Sequence, residues 1–249
     1  MSKSIRILLH GIVVVFIVFF VVFAFWNRYN KGLFQVKMEN VFVSGNHLLQ
    51  EDEIRSNLPL SSGRFPSSIA LPLNHWKEQI LQNLYVEDVR LHVRYPNSVV
   101  IQITERKPIG RLGNGSSYWV DSSSVILPER PVNESSLHLP TIVYPQSSVN
   151  LNPGQVITTK LFRDLSGILG ELSVHHSDVF RLVNRIKSVD TTTVELFLEE
   201  GAKAIITLNK KDQLKKLDAF TTQITAVKPL KRIRLIDLRF EHQIVIKEL

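Results

Sequence analysis

The stretch 40-NVFVSGNHLLQEDEI-54 decides the fold of this chain. Val41 and Val43 alternate with Phe42 and Ser44, the period-two pattern of a half-buried strand. Gly45-Asn46 ends that strand with a pair suited to positive φ. Glu51, Asp52 and Glu53 then set carboxylates where a helix begins, with Ile54 and Leu58 on one face. Nothing in the stretch offers a metal ligand set, a nucleophile or a phosphate loop.

Working downstream, residues 59–72 are rich in Ser, Gly and Pro and read as a loop. Asn74 is expected to cap a second helix that carries Trp76, Ile80 and Leu84 at four-residue spacing. Val89, Leu91 and Val93 alternate with Asp88, Arg90, His92 and Arg94, a strand that turns at Tyr95-Pro96-Asn97. Val99, Ile101 and Ile103 form the next apolar row. The order β-α-α-β-β predicts a three-stranded sheet with two helices on one face. Pro108 argues against continuation as a central strand, so the boundary of this domain is placed at residue 107.

Beyond it, Ser117 to Asp121 and Val125 to Leu127 predict a hairpin around a serine turn. Residues 128–153 are dominated by proline and serine and read as irregular. Leu161, Phe162, Leu165, Ile168, Leu169 and Leu172 recur at helical spacing, as do Leu214, Leu217, Phe220 and Ile224. Val194, Leu196 and Leu198 alternate in a strand that turns at Glu200-Gly201. The chain closes on two strand-like runs, residues 232–238 and 240–247.

Working upstream, Ile7 to Trp26 is a run of twenty residues with no formal charge and His10 as its strongly polar member. At about 1.5 Å per residue it spans a hydrocarbon core of about 30 Å. Its length and the bulky Phe23-Ala24-Phe25-Trp26 argue for an uncleaved anchor rather than a cleaved signal. Arg28, Lys31 and Lys37 rival Lys3 and Arg6, so charge bias alone does not orient it. Long domains translocate largely regardless of flanking charge, which places the N-terminus in the cytoplasm and the rest outside. The 249 residues carry a net charge of +7 and no cysteine, excluding disulfides and thiolate sites.

Candidate chemistry is sparse. His175-His176-x-Asp178 reads as a solvated loop, since zinc needs three or four convergent ligands. No G-x-S-x-G elbow appears, and Gly110, Gly113 and Gly115 fit no phosphate-binding order. Asn114-Gly115-Ser116 and Asn133-Glu134-Ser135 are formal glycosylation sequons, relevant in a eukaryotic host. Lys210, Lys211, Lys215, Lys216, Lys228, Lys231, Arg232 and Arg234 cluster late, either as a solvated face or as a patch for acidic partners or lipid heads. No aromatic platform interleaves them, which speaks against nucleic acid.

Val41-x-Val43-x-Gly45-Asn46, Glu53-Ile54 and Val86-x-x-Val89-x-Leu91-x-Val93-x-Tyr95-Pro96 resemble a POTRA domain. Ile101-x-Ile103-x-Glu105-Arg106-x-Pro108 is similar to the exit of that domain in the bacterial cell-division family FtsQ, called DivIB in Gram-positives. Trp119-Val120-Asp121, Leu139-Pro140 and Ile236-Asp237-Leu238-Arg239-Phe240 resemble the β-domain of the same family. Ser122-Ser123-Ser124 departs from it, standing where many relatives have a glycine turn.

The expected architecture is therefore α+β: a cytoplasmic tail and single transmembrane helix at 1–30, a POTRA-like domain at 31–107, and a mixed β-domain at 108–249 with helices packed on an antiparallel sheet. The resemblance implies a non-catalytic, single-pass inner-membrane scaffold of the divisome. It would bind FtsB/DivIC-like and FtsL-like partners at the septum to recruit and regulate peptidoglycan synthesis. It implies no cofactor, metal, nucleic acid or small-molecule substrate. The terminal run is the expected partner-binding strand, with Phe240, His242, Ile244 and Ile246 on one face and Glu241, Gln243 and Val245 on the other. Alternatives are an anchored envelope hydrolase or carrier with a dispersed site, and a POTRA-bearing secretion or assembly factor. Too few residues follow the POTRA-like segment for the barrel that a secretion factor would need.

Overall fold

The computed structural model describes residues 3–58, 67–113, 118–130, 137–143, 151–208, 210–225 and 230–249. Both sequons, residues 59–66 of the expected loop, Ser117 and Lys228 lie outside them. The chain divides into two compact units, Met1–Glu105 and Arg106–Leu249.

The first unit opens with α1 (Lys3–Asn30). Within it His10–Tyr29 is long and apolar enough to cross a membrane, with a mean hydropathy of 2.3. Val15, Phe16, Phe20 and Trp26 are all exposed, so apolar side chains surround the helix. Such a helix satisfies its backbone hydrogen bonds internally, as a membrane span must.

β1 (Val41–Ser44), α2 (Glu51–Ser56), α3 (Leu73–Leu81), β2 (Val86–Arg94) and β3 (Ser98–Glu105) follow. The sheet order is β1-β3-β2, with β1 parallel and β2 antiparallel to β3. Val43, Ile101 and Leu91 share one cross-strand row, and Ile54, Trp76 and Ile80 of the helices are buried. Gly45 has φ +84°, and a Cβ there would stand 2.2 Å from the Ile103 carbonyl oxygen. Close strand approach therefore demands glycine. Glu105, itself buried, accepts from the backbone N–H of Leu48 at 2.7 Å and of Leu49 at 2.9 Å. This fixes the turn that leads into α2. The expected cap at Asn74 is corrected. The cap lies two residues earlier, at Pro72, whose carbonyl accepts the first bond of α3, from Trp76 N–H at 3.1 Å. Leu84 lies beyond its end.

The second unit contains β4 (Pro108–Leu112), β5 (Tyr118–Asp121), β6 (Ile126–Pro128), β7 (Thr141–Val143), α4 (Lys160–His175) and α5 (Ser177–Leu182). It continues with β8 (Val183–Ser188), β9 (Thr193–Leu198), β10 (Lys203–Thr207), α6 (Lys211–Thr225), β11 (Ile233–Asp237) and β12 (Val245–Glu248). All its strands join one sheet, ordered β12-β11-β10-β9-β8-β7-β4-β5-β6. The α+β class is as expected, but the sheet is mixed rather than antiparallel. β4–β7, β7–β8 and β10–β11 are parallel. A parallel neighbour needs a crossover, which α6 supplies between β10 and β11 and α4 with α5 between β7 and β8. Ile142, Ile186, Leu196, Ala204 and Ile236 form a buried row across five strands. Phe162, Leu165, Leu169, Leu172, Leu214 and Leu217 of the helices share its core.

The serine turn is organised by Asp121. Its carboxylate accepts from Ser123 N–H at 2.9 Å, Val125 N–H at 2.8 Å and Arg106 Nη1 at 2.9 Å. Ser124 takes the left-handed position at φ +63°, and its hydroxyl lies 2.8 Å from that of Ser166. His175-His176 is not a solvated loop. His175 ends α4, and buried His176 holds Asp218 of α6 through Nδ1 at 2.8 Å.

Candidate functional site

β11 delivers the chain to its last segment from the middle of the core. Ile236 and Leu238 are fully buried, and Leu238 N–H donates to the Ile205 carbonyl at 3.0 Å. Between them Asp237 points to the opposite face, where Arg239 Nε lies 2.9 Å from Oδ1 and Nη2 lies 2.6 Å from Oδ2. Those hydrogen bonds hold the Asp237 carboxyl below its ordinary range and raise the Arg239 guanidinium above its own. Asp190, in the β8–β9 turn, adds its field to Arg239. Its own carboxyl is pulled down to about 2 by the N–H and hydroxyl of Thr192 and by Thr193.

After Arg239 the chain turns. Lys216 of α6 donates to the carbonyl of Phe240 at 3.4 Å and to that of Glu241, while Lys210 stands 3.7 Å from the Glu241 carboxylate. Part of the late basic cluster thus tethers this segment, a role that a one-dimensional charge run does not reveal. Phe240 is 44 % exposed, Glu241, His242 and Gln243 are exposed, and Ile244 packs against the core.

The strand begins at Val245, so the expected alternation from Phe240 onward is corrected. The clasp at Asp237–Arg239 and the lysine tethers turn residues 240–244 away from ladder geometry. Of the expected site residues, Val245 and Ile246 lie on the ladder, opposite Asp237 and Ile236. Their side chains are 42 % and 40 % exposed. β12 ends the sheet, with β11 as its neighbour. The opposite end is built differently: Ile126 of β6 donates to the Gln155 carbonyl and accepts from Gly154 N–H, each at 2.8 Å. One edge is covered by its own chain and the other carries apolar side chains in the open.

Among the described residues no group of three or more His, Asp or Glu is placed to hold a metal ion. A cavity of about 250 Å³ lies between α4 and α6, with Ile168, Ile206 and Leu214 in its wall and Arg163, Glu171 and Lys210 at its rim.

A profile described as POTRA domain, FtsQ-type, matches residues 36–106. The cell division protein DivIB of Clostridium acetobutylicum is 29 % identical over 106 residues, 43 % of this chain and 41 % of that protein. DivIB of Listeria monocytogenes is 31 % identical over 96 residues, 38 % of this chain and 35 % of its own length. DivIB of Streptococcus gordonii is 23 % identical over 181 residues, 72 % of this chain and 40 % of its own length. The matched stretches thus span less than half the length of these relatives.

Proposed function

We propose that this chain, which belongs to the FtsQ/DivIB family, is a non-catalytic, single-pass membrane scaffold of the divisome. It binds FtsB/DivIC-like and FtsL-like partners and so recruits and regulates septal peptidoglycan synthesis. The helix α1 anchors it, with residues beyond about 30 on the extracytoplasmic side of the inner membrane. The division of labour follows the two units: the POTRA domain works through its surface, and the β-domain docks partners at residues 240–246.

The observation that carries the reading is the contrast between the two ends of the large sheet. An edge presents N–H and C=O groups that either accept a partner's strand or invite aggregation, and natural proteins cover the edges they do not use. Here β6 is covered, whereas among the described residues no further strand pairs with β12, which shows Val245 and Ile246 and follows the Asp237–Arg239 clasp.

Depletion in the native host, coupled to a membrane pull-down, tests it. Septation and its localised wall synthesis should fail, and small bitopic division proteins should co-purify. Turnover of wall fragments by the purified chain, abolished by one point substitution, would replace this reading with that of an anchored hydrolase.

A further inference from the structure

The face of the large sheet that turns away from α4 and α6 carries a row the sequence hides. Cross-strand register sets Arg111 beside Thr141, Thr141 beside Arg185 and Arg185 beside Phe197. It then sets Phe197 beside Lys203, Lys203 beside Leu235 and Leu235 beside Lys247. A cation therefore stands on every second strand, and no carboxylate interrupts the row. Strands lie about 4.8 Å apart, so successive cations are about 9.5 Å apart and the row is about 29 Å long. Arg185 and Lys247 are exposed, and the others partly so. Lys203 Nζ lies 4.7 Å from the Phe197 ring centroid and Arg185 Cζ lies 5.7 Å from it, so one ring holds two cations in place. On the next row Lys187 stands opposite Glu195, and Asp237 is taken by Arg239. Each of these two carboxylates thus has a cation beside or opposite it.

We propose that this row is a docking surface for a linear phosphodiester polyanion. Guanidinium forks and ammonium groups are the natural receivers of phosphate oxygens. The fold selects a flexible chain over a flat bilayer. Adjacent strands rotate by about 20–25°, so cations two strands apart fan by about 40–50° and a plane meets few of them together. It selects a polymer over an acidic peptide as well. Peptides gain affinity from main-chain bonds at a sheet edge, whereas a sheet face offers side-chain charge alone. One aromatic ring is too few for successive base stacking, which disfavours nucleic acid. The row ends on Lys247 of β12, but it uses the face of the sheet and is tested at Arg185 and Lys203 of β8 and β10, so its failure would leave the partner-binding reading intact.

The test measures binding of poly(glycerol phosphate) to the full chain in nanodiscs of zwitterionic lipid across a salt series. With four cations engaged, log K against log salt should fall with a slope of about −3, at about 0.7 per neutralised phosphate. Arg185→Gln and Lys203→Gln should each weaken binding several-fold and flatten that slope by about 0.7. Lys215→Gln, an equal charge change at an exposed position of α6, should alter neither, and thermal unfolding of all variants should coincide. Equal loss with Lys215→Gln, or a salt-independent signal, would overturn the proposal. So would tighter binding of oligo(dT) or polyglutamate of matched charge, or capture by anionic vesicles without capture of the polymer.

Discussion

Arg239 closes on Asp237 with two parallel nitrogen–oxygen contacts across one intervening residue, Nε at 2.9 Å and Nη2 at 2.6 Å. Leu238 between them is fully buried, so the pair clamps the chain at the point where it leaves the core. The Asp237 carboxyl titrates below its ordinary range because Arg239 hydrogen-bonds its ionised form. A depressed carboxyl contributes stability that is present above its unfolded pKa, about 4, and lost as pH falls through the folded value. Asp237→Asn should therefore cost about 1 kcal/mol at pH 7, a figure discounted because Arg239 is half exposed. The difference from the parent should shrink toward zero in strong acid. Urea unfolding of the two proteins along a pH series checks this; a constant difference down to pH 2 would show that the clasp has another basis.

Gly45 and Gly167 should respond to alanine with opposite signs. Gly45→Ala forces a Cβ to within 2.2 Å of the Ile103 carbonyl at φ +84° and should cost at least about 2 kcal/mol. Gly167 sits in α4 with nothing within 4 Å of the added Cβ, so Gly167→Ala should stabilise by about 0.5–1 kcal/mol. Denaturation midpoints decide both.

Glu105→Ala should cost about 2–3 kcal/mol, because it strands the N–H groups of Leu48 and Leu49 beneath a buried site. Glu105→Gln keeps one acceptor and should lose about half as much. Unfolding curves of both variants that overlay the parent's would mean that water replaces the carboxylate without penalty.

Protease applied to cells with an opened outer layer and an intact inner membrane should digest the chain beyond about residue 30. Full protection of that portion would reverse the proposed orientation of α1.

The small domain was legible because each of its elements repeats a period long enough to read: Val41 and Val43, Val89 to Val93, Val99 to Ile103. The β-domain was legible at α4, β9 and α6 for the same reason. β7 has three residues in a stretch rich in proline and serine, and no periodicity can show in so short a span. β4 was hidden by Pro108, which a strand accepts as its first residue. The cationic row was invisible because its members are spread from Arg111 to Lys247 and meet only through cross-strand register. The terminal segment was half legible. Its apolar spacing marked a strand, but nothing in a one-dimensional pattern shows that Lys216 and the Asp237–Arg239 clasp hold residues 240–244 out of the ladder.

That geometry decides how the docking edge should be tested. Ile244→Pro would confound folding with binding, since Ile244 packs against the core. Val245 and Ile246 are the better pair. Along an antiparallel strand, successive N–H groups point alternately toward the neighbour and away from it, so one of the two serves β11 and the other faces outward. Val245→Pro and Ile246→Pro should therefore differ: one should lower the unfolding midpoint, and the other should leave it near the parent. The second variant removes an outward donor and bends the free edge. It should weaken binding of the co-purified division partners at least tenfold, against a much smaller loss for the matching alanine. Phe240→Ala should cost on the order of 2 kcal/mol of binding, because its half-exposed ring is the largest apolar side chain of the terminal segment 240–249. Unchanged partner affinity in the folded proline variant and in Phe240→Ala would remove β12 as a docking edge and leave it as the strand that closes the sheet.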